Sequence, residues 1–430
     1  VDKNGRLPFG LPGLNGKTGA ISNANSLWIQ YFYAYLNESG RAGFVMASSA
    51  SDAGNKDRDI RQQLVQTGHV DVMMAIGNKF FYTRSLPCTL WFFDKGKPAD
   101  LQDQVLMIDA RNVYHVVSAR SHIFTNEQLA NLTAIAWLYR GESDKYLTLL
   151  KDHYTRAASH LSALPERLTA DTAAVHHLAA LLQGFAQQAT LDELNKDLSP
   201  EEQLQQSDLD ACKTALGSAT AALANTQDME ALLTACAEAR KAIETADLSQ
   251  KAQRDALQQH LDSLHPKLKA GSKMLEARHK AWLQQLEAIE KLRPRLSKAW
   301  DAKAVREARK ALLATDDRTN EIQTPRDAVL DTLKQAGYFI QQGHWLHSRF
   351  PNAVYNDAPG LCKVVTQAEI EANDWSLTPG RYVGVAPDRD SDDEDFIERL
   401  RAIHDELIEL NTEATDLTAI ISKNMEGILA

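Results

Sequence analysis

The side chains best placed for chemistry sit in one short stretch. Phe80, Phe81 and Tyr82 follow one another in an otherwise polar loop, NKFFYTRSLP, and offer flat faces for stacking. Asn23 and Asn25 stand at the head of an aromatic-rich segment, where an amide can bond a ligand or cap a helix; capping is the simpler job for Asn23. Other candidates fail on spacing. Gly13, Gly16 and Gly19 have the rhythm of a phosphate loop, but no apolar strand precedes them, and they read as flexible loop. His176 and His177 lie in an Ala/Leu stretch with no acid pair at metal spacing. His344 and His347 are three apart beside Trp345, lack a third ligand, and read as surface histidines. Asp390, Asp392, Asp393, Glu394 and Asp395 lack the alternation of a calcium loop and read as a solvated helix start. No metal site is expected. Cys88, Cys212, Cys236 and Cys362 are far apart, as in a cytoplasmic protein with reduced thiols.

The elements that must position the aromatic loop run from Gly40 to Gly96. Ala42 to Ala47 and Val70 to Ile76 are apolar runs and predict strands buried on both faces. Between them Ile60, Leu64 and Val65 have helical spacing, and Gly68 follows as a stop. Strand, helix and strand make a right-handed crossover. Gly77 to Pro87 is then a loop at the carboxyl end of a strand, the edge where open α/β sheets bind ligands, and Thr89 to Phe93 returns as a strand. Upstream, Trp28, Phe32, Tyr35 and Leu36 share one helical face, expected in the core, before Gly40. Downstream, Val105 to Ile108 is a further strand ending in Asp109-Ala110-Arg111. Thr125 and Gln128 form a capping box ahead of Leu129, Leu132 and Ile135.

This crossover followed by FFYTRSLPCTLWFFDKGK resembles the modification (methyltransferase) subunit of type I restriction-modification systems. SNANSLWIQYFYAYLNESGRAGFVM, LMIDARNVYHVV and, far downstream, SLTPGRYVGV at Ser376 to Val385 carry the same resemblance. It covers residues 1 to about 128 and about 360 to 430. The resemblance implies a partial Rossmann-like sheet and an adenine-N6 DNA methyltransferase that uses S-adenosylmethionine. Such an enzyme takes the target adenine out of the stack. The family holds that adenine with an Asn-Pro-Pro-aromatic tetrapeptide and the cofactor with a Gly-rich loop. Neither occurs here, and no Asn-Pro dipeptide exists in the chain. Both are expected upstream of Val1, so the chain is expected to be a fragment that does not methylate alone. Phe80, Phe81, Tyr82, Asn23 and Asn25 then become candidates for the far wall of the base pocket. The plainer alternative is that one or two of the three aromatics simply pack beneath the hairpin.

Residues 129–350 read as a helical arm. Ser199-Pro200-Glu201-Glu202 reads as a helix start. Leu257, Leu261, Leu264, Leu268, Leu275, Trp282, Leu286 and Ile289 form a coiled-coil-like stripe that Pro266 and Pro294 should kink or divide. Asp247-Leu248-Ser249 and Asp316-Asp317 read as breaks between long antiparallel helices. Residues 351–430 hold a Pro-Gly turn and then the cleanest period in the chain: Phe396, Leu400, Ile403, Leu407, Leu410, Ala414, Leu417 and Ile421. That seam could pack on the arm. By resemblance it would instead pack on helices of a specificity subunit.

At 430 residues the chain exceeds one ordinary core. No apolar run approaches the roughly 20 residues of a membrane span. The net charge of -10 argues against non-specific nucleic-acid binding by the chain as a whole, and Val385 to Ala430 alone holds thirteen acids against four bases. The expectation is an α/β part over 1–128, a mainly α-helical, coiled-coil-like arm over 129–350, and a partner-binding region over 351–430. The expected partners are DNA, a specificity subunit and a restriction subunit, with no membrane. A solitary adenine methyltransferase and a non-catalytic helical scaffold are the alternatives.

Overall fold

The structure is a computed structural model and describes residues 5–14, 17, 21, 24–81, 86–118, 121–196, 198–224, 226–313 and 324–385, with positions 414 and 418. The chain opens with α1 (Asn25–Ala34), β1 (Arg41–Ala47), α2 (Lys56–Gln66), β2 (Val70–Ile76), β3 (Cys88–Asp94) and β4 (Gln104–Asp109). A small hairpin follows, β5 (His115–Ser118) with β6 (Ser121–Ile123), and then α3 (Asn126–Tyr139). The arm comprises α4 (Ser143–Gln188), α5 (Leu191–Leu194), α6 (Gln206–Leu223), α7 (Gln227–Thr245), α8 (Lys251–Glu290), α9 (Ala302–Leu312) and α10 (Pro325–Arg349). The chain then returns as β7 (Cys362–Thr366) and α11 (Gln367–Ala372).

The main sheet has the order β1-β3-β2-β4-β7 and is mixed. β3 is antiparallel to both β1 and β2, so it lies between the two strands of the predicted crossover, while β2 and β4 are parallel and β7 runs antiparallel to β4. β2 is buried throughout, as its unbroken apolar run predicts. β1 is not. It is an edge strand, its side chains alternate in exposure, and Val45 is 50% exposed. The predicted burial of β1 on both faces is therefore corrected.

Side-chain alternation divides the sheet between two cores. Met73, Trp91, Val105 and Met107 face α1 and α2, joining Ile29, Leu64 and Val65. Val72, Met74, Leu106 and Ile108 face the helical side, joining Leu132, Ile135, Tyr146 and Leu150. In α1 the buried side chains are Ser26, Ile29, Gln30 and Tyr33, whereas Trp28, Phe32 and Tyr35 are exposed. The aromatic face expected in the core thus points outward. Its start is also corrected: Ala24 occupies the N-cap position with no side-chain cap, and Asn23 lies outside the described residues. The Thr125/Gln128 capping box on α3 is formed as expected.

In the arm all eight members of the α8 stripe are buried. The stripe is shared between the core next to the sheet and a distal core around Phe185, Leu209, Leu286 and Val305. α8 runs unbroken through Pro266, and Pro294 begins a separate short turn. α4 likewise carries Pro165 inside 46 helical residues. Packing on neighbouring helices outweighs the one hydrogen bond each proline removes. Ser199 to Glu202 is a turn rather than a helix start; α6 begins at Gln206, capped by Gln205 and Asp208. The break at Asp247 to Ser249 is present between α7 and α8, while Asp316 and Asp317 lie outside the described residues. Among the described residues no helix is long and apolar enough to cross a membrane.

Candidate functional site

The carboxyl ends of β1, β2 and β4 share one sheet edge, and the returning Ser376 to Val385 segment is laid against it. Leu377 N–H donates to Ser51 O at 2.8 Å, and the Ser51 and Thr378 hydroxyls are 2.9 Å apart. Arg61, 3% exposed on α2, donates Nε to Trp375 O at 2.9 Å and Nη1 to Ala53 O at 2.6 Å. Burial lowers the Arg61 pKa, opposed by Asp52, Asp57 and Asp374, and the guanidinium stays charged at neutral pH. Arg381 reaches back to Asp52 at 2.7 Å. One buried arginine and three short contacts therefore fix the Pro379–Arg381 turn against the β1–α2 junction.

At the end of β4, Asp109 and Arg111 form a bidentate pair. Arg111 Nε donates to Asp109 Oδ1 at 2.8 Å and Nη2 to Oδ2 at 2.5 Å. The hydrogen bond to Asp109 raises the Arg111 pKa. The pair is wedged between two glycines. A Cβ on Gly77 would come within 2.9 Å of the Arg111 carbonyl oxygen, and one on Gly380 within 2.8 Å of Arg111 Nη2. The Arg111 side chain is half exposed, with its guanidinium beside Gly380 and its backbone carbonyl beside Gly77, where the aromatic loop leaves β2. A fixed cation at this place can hold an anionic group such as a phosphate.

The aromatic triplet does not act as one unit. Phe80 is half-buried and packs on Phe124 at 4.7 Å and edge-on to His122 at 6.3 Å, beside the β5–β6 hairpin. Phe81 is 43% exposed at the same sheet edge. Tyr82 lies outside the described residues, as does Asn23. Asn25 is half-buried at the start of α1, next to Ser26, which contacts Asp57 at the start of α2. Asn25 is therefore on the same edge but at the β1 side, with β3 between it and the Phe81 loop. Sequence reading missed Asp109, Arg111 and Arg61 as site residues. The Asp-Ala-Arg that ends β4 was the available signal for the first two.

These residues do not by themselves fit S-adenosylmethionine. At the β1–α2 junction Ser51 Oγ donates to Ser48 O, Arg61 donates to Ala53 O and the returning segment is laid across the loop, so the chain itself occupies the place a cofactor would take there. Among the described residues no group of three or more His, Cys, Asp or Glu is placed to hold a metal ion. His344 and His347 on α10 pair with Asp262 and Asp255 of α8, both at 2.9 Å. His176 and His177 are exposed. The four cysteines are free and buried. The acids at 390 to 395 lie outside the described residues, and so does the C-terminal seam except Ala414, which is helical and exposed.

Known proteins match the N-terminal third of the chain. The N-6 DNA Methylase family matches residues 15–160. The MjaIX methylase subunit, a type I restriction enzyme subunit of Methanocaldococcus jannaschii, is 40% identical over 110 residues, 26% of this chain and 20% of that protein. The HindI methylase subunit of Haemophilus influenzae is 39% identical over 83 residues, 19% of this chain and 18% of its own. Among solved structures, the methyltransferase subunit of a type I restriction-modification system from Streptococcus thermophilus covers 28% of this chain and 25% of its own, with 21% identity and a TM-score of 0.26. The chain spans about a fifth of the length of the curated relatives it matches. Residues 15–160 thus match the N-6 DNA Methylase family, and this part of the chain is similar to the methylase subunits of type I restriction enzymes.

Proposed function

We propose that the chain works as part of an adenine-N6 DNA methyltransferase, the modification subunit of a type I restriction-modification system. The methyl group would come from S-adenosylmethionine and go to a flipped adenine, with cofactor and catalytic motifs supplied by polypeptide outside these 430 residues. One observation carries the reading: the 40% identity to a methylase subunit over 110 residues, in a chain whose 15–160 segment matches the methylase family and holds the Phe81 and Arg111 edge. At that edge Phe81 would stack on the extruded base, and Arg111 would hold a backbone phosphate beside it. A specificity subunit would read the DNA sequence and bind the C-terminal seam, and a restriction subunit would join the same assembly in the cytoplasm.

The test has two parts. The 430-residue chain alone should neither bind S-adenosylmethionine nor methylate DNA; a stoichiometric site found by calorimetric titration would count against the reading. In a full-length subunit assembled with its specificity partner, Phe81→Ala or Tyr82→Ala should cut methyl transfer by about fivefold to 150-fold, because base stacking contributes about 1–3 kcal/mol. Unchanged transfer by both variants would remove these side chains from the pocket. Absence of any transfer by the assembled full-length protein would favour a helical scaffold instead.

A further inference from the structure

We infer that the far end of the helical arm is a docking surface for the phosphate backbone of duplex DNA. Residues 291–310, from the end of α8 through α9, hold eight Lys and Arg against two acids, in a chain whose net charge is -10. Both acids are committed locally. Asp301 caps α9 through the N–H groups of Lys303 and Ala304, and Glu307 pairs with Lys310 at 3.4 Å.

Four of these cations, Arg293, Arg295, Arg306 and Arg309, line with Lys196 a cleft of about 1050 Å³ between α5, the end of α8 and α9, with Glu290 as its acid. Arg309 approaches Glu290 at 3.5 Å and Arg293 approaches Glu202 at 3.9 Å, both loose and solvent-accessible. Among the described residues, no carboxylate lies within ion-pair reach of Lys196, Arg295 or Arg306. Arg306 and Arg309 are three apart on one helix and share a face. The loop carrying Arg295 is anchored by Trp300, whose ring meets Phe185 edge-on at 5.3 Å. A preorganised, arginine-rich cleft suits phosphate oxygens, which guanidinium groups bind in pairs.

The length of α4 sets how far this cleft stands from the sheet. α4 runs from Tyr146, in the core next to the sheet, to Phe185, in the distal core. At 1.5 Å per residue that is about 60 Å, which matches roughly 17 base pairs of B-form DNA at 3.4 Å each. The inference rests on the proposed DNA substrate but not on methyl transfer, so the two fail separately.

The experiment uses the 430-residue chain and a fluorescein-labelled 30-base-pair duplex of arbitrary sequence, read by anisotropy from 50 to 200 mM salt. The chain should bind, and Arg295→Gln/Arg306→Gln/Arg309→Gln should weaken binding at least tenfold at 50 mM salt. The same change should lower the slope of log affinity against log salt by about 2 to 3, at about 0.9 for each phosphate no longer neutralised. Lys196→Gln/Arg295→Gln, which breaks no ion pair among the described residues, should weaken binding at least threefold while the thermal transition stays in place. No binding by the parent chain, or equal affinity and slope in both variants, would overturn the inference. A poly-glutamate peptide that binds as tightly as DNA, with the same weakening in the variants, would overturn it in favour of an acidic protein partner. Failure of methylation in the full-length assembly with this binding intact would sink the proposed function alone.

Discussion

The guanidinium of Arg111 lies against Gly380, so close that a Cβ there would come within 2.8 Å of Nη2 and 3.5 Å of Asp109 Oδ2. Two segments 269 positions apart thus share one contact. Gly380→Ala should displace Arg111 from Asp109 and leave a carboxylate that is 8% exposed without its bidentate partner, at a cost of about 1–3 kcal/mol. In an Arg111→Ala background the same substitution should cost at least 0.5 kcal/mol less, the coupling usual for residues in contact, roughly 0.5–3 kcal/mol. Strict additivity in urea unfolding would show that the contact is not what constrains Gly380.

Helix packing in the arm gives a second expectation. α10 passes α4 at Gly343, where a Cβ would come within 2.3 Å of the Tyr154 ring. Gly343→Ala should destabilise the chain by about 1–3 kcal/mol through overpacking. Gly337→Ala, two turns earlier, meets His265 only at 3.4 Å and should be neutral or stabilising by up to about 1 kcal/mol, the gain from removing a helical glycine. Denaturation midpoints of the two variants should therefore move in different directions or by clearly different amounts.

His153 sets a pH dependence. Its Nε2 is 2.8 Å from Asn131 Oδ1, Nδ1 is buried with no partner among the described residues, and burial pulls its pKa down to about 4. The unfolded chain, with an ordinary histidine near 6.5, then binds more protons than the folded chain between pH 4 and 6.5. Stability should fall as pH is lowered through that window, by on the order of 3 kcal/mol from this group alone. His153→Gln keeps a donor for Asn131 and cannot titrate, so its stability should fall less over the same range. Identical acid limbs for the two proteins would show that His153 does not carry the effect.

The C-terminal seam supplies the fourth expectation. Leu407→Asp/Leu410→Asp removes two apolar positions from a stripe that alternates spacings of four and three. Each buried leucine contributes roughly 1.5–3 kcal/mol, so association with the specificity subunit should be lost. Co-purification at undiminished yield would rule the seam out as that interface. Loss of the sheet's own thermal transition would favour an intramolecular contact.

What the sequence shows and what it hides follow the range of the interactions. β2, β4, α2, the Thr125 cap and the α8 stripe depend on residues within about one element, and periodicity exposes them. The insertion of β3 between β1 and β2 depends on pairings such as Phe44 with Trp91, 47 positions apart, which no local window contains. In α1, residue type misled: Ile29 and Tyr33 are buried, while the more conspicuous Trp28 and Tyr35 are not. At the site, the triplet was legible as a cluster, but only Phe80's packing on Phe124 and His122 separates it from Phe81. Arg61 was hidden because its partners are carbonyl oxygens, one of them at Trp375, 314 positions away.

β7 reaches its place beside β4 only after the whole arm has been made, since β4 ends at Asp109 and β7 begins at Cys362. At about 5–20 residues per second, a ribosome takes on the order of 13 to 50 seconds to cover that interval. For that time the β4 edge, with Leu106 and Met107 fully buried in the finished sheet, has neither its neighbour strand nor the Trp375 carbonyl that Arg61 needs. Nascent chains should therefore expose an unpaired, apolar strand edge for far longer than helices or hairpins take to form, and chaperone dependence during synthesis should centre on this strand rather than on the arm.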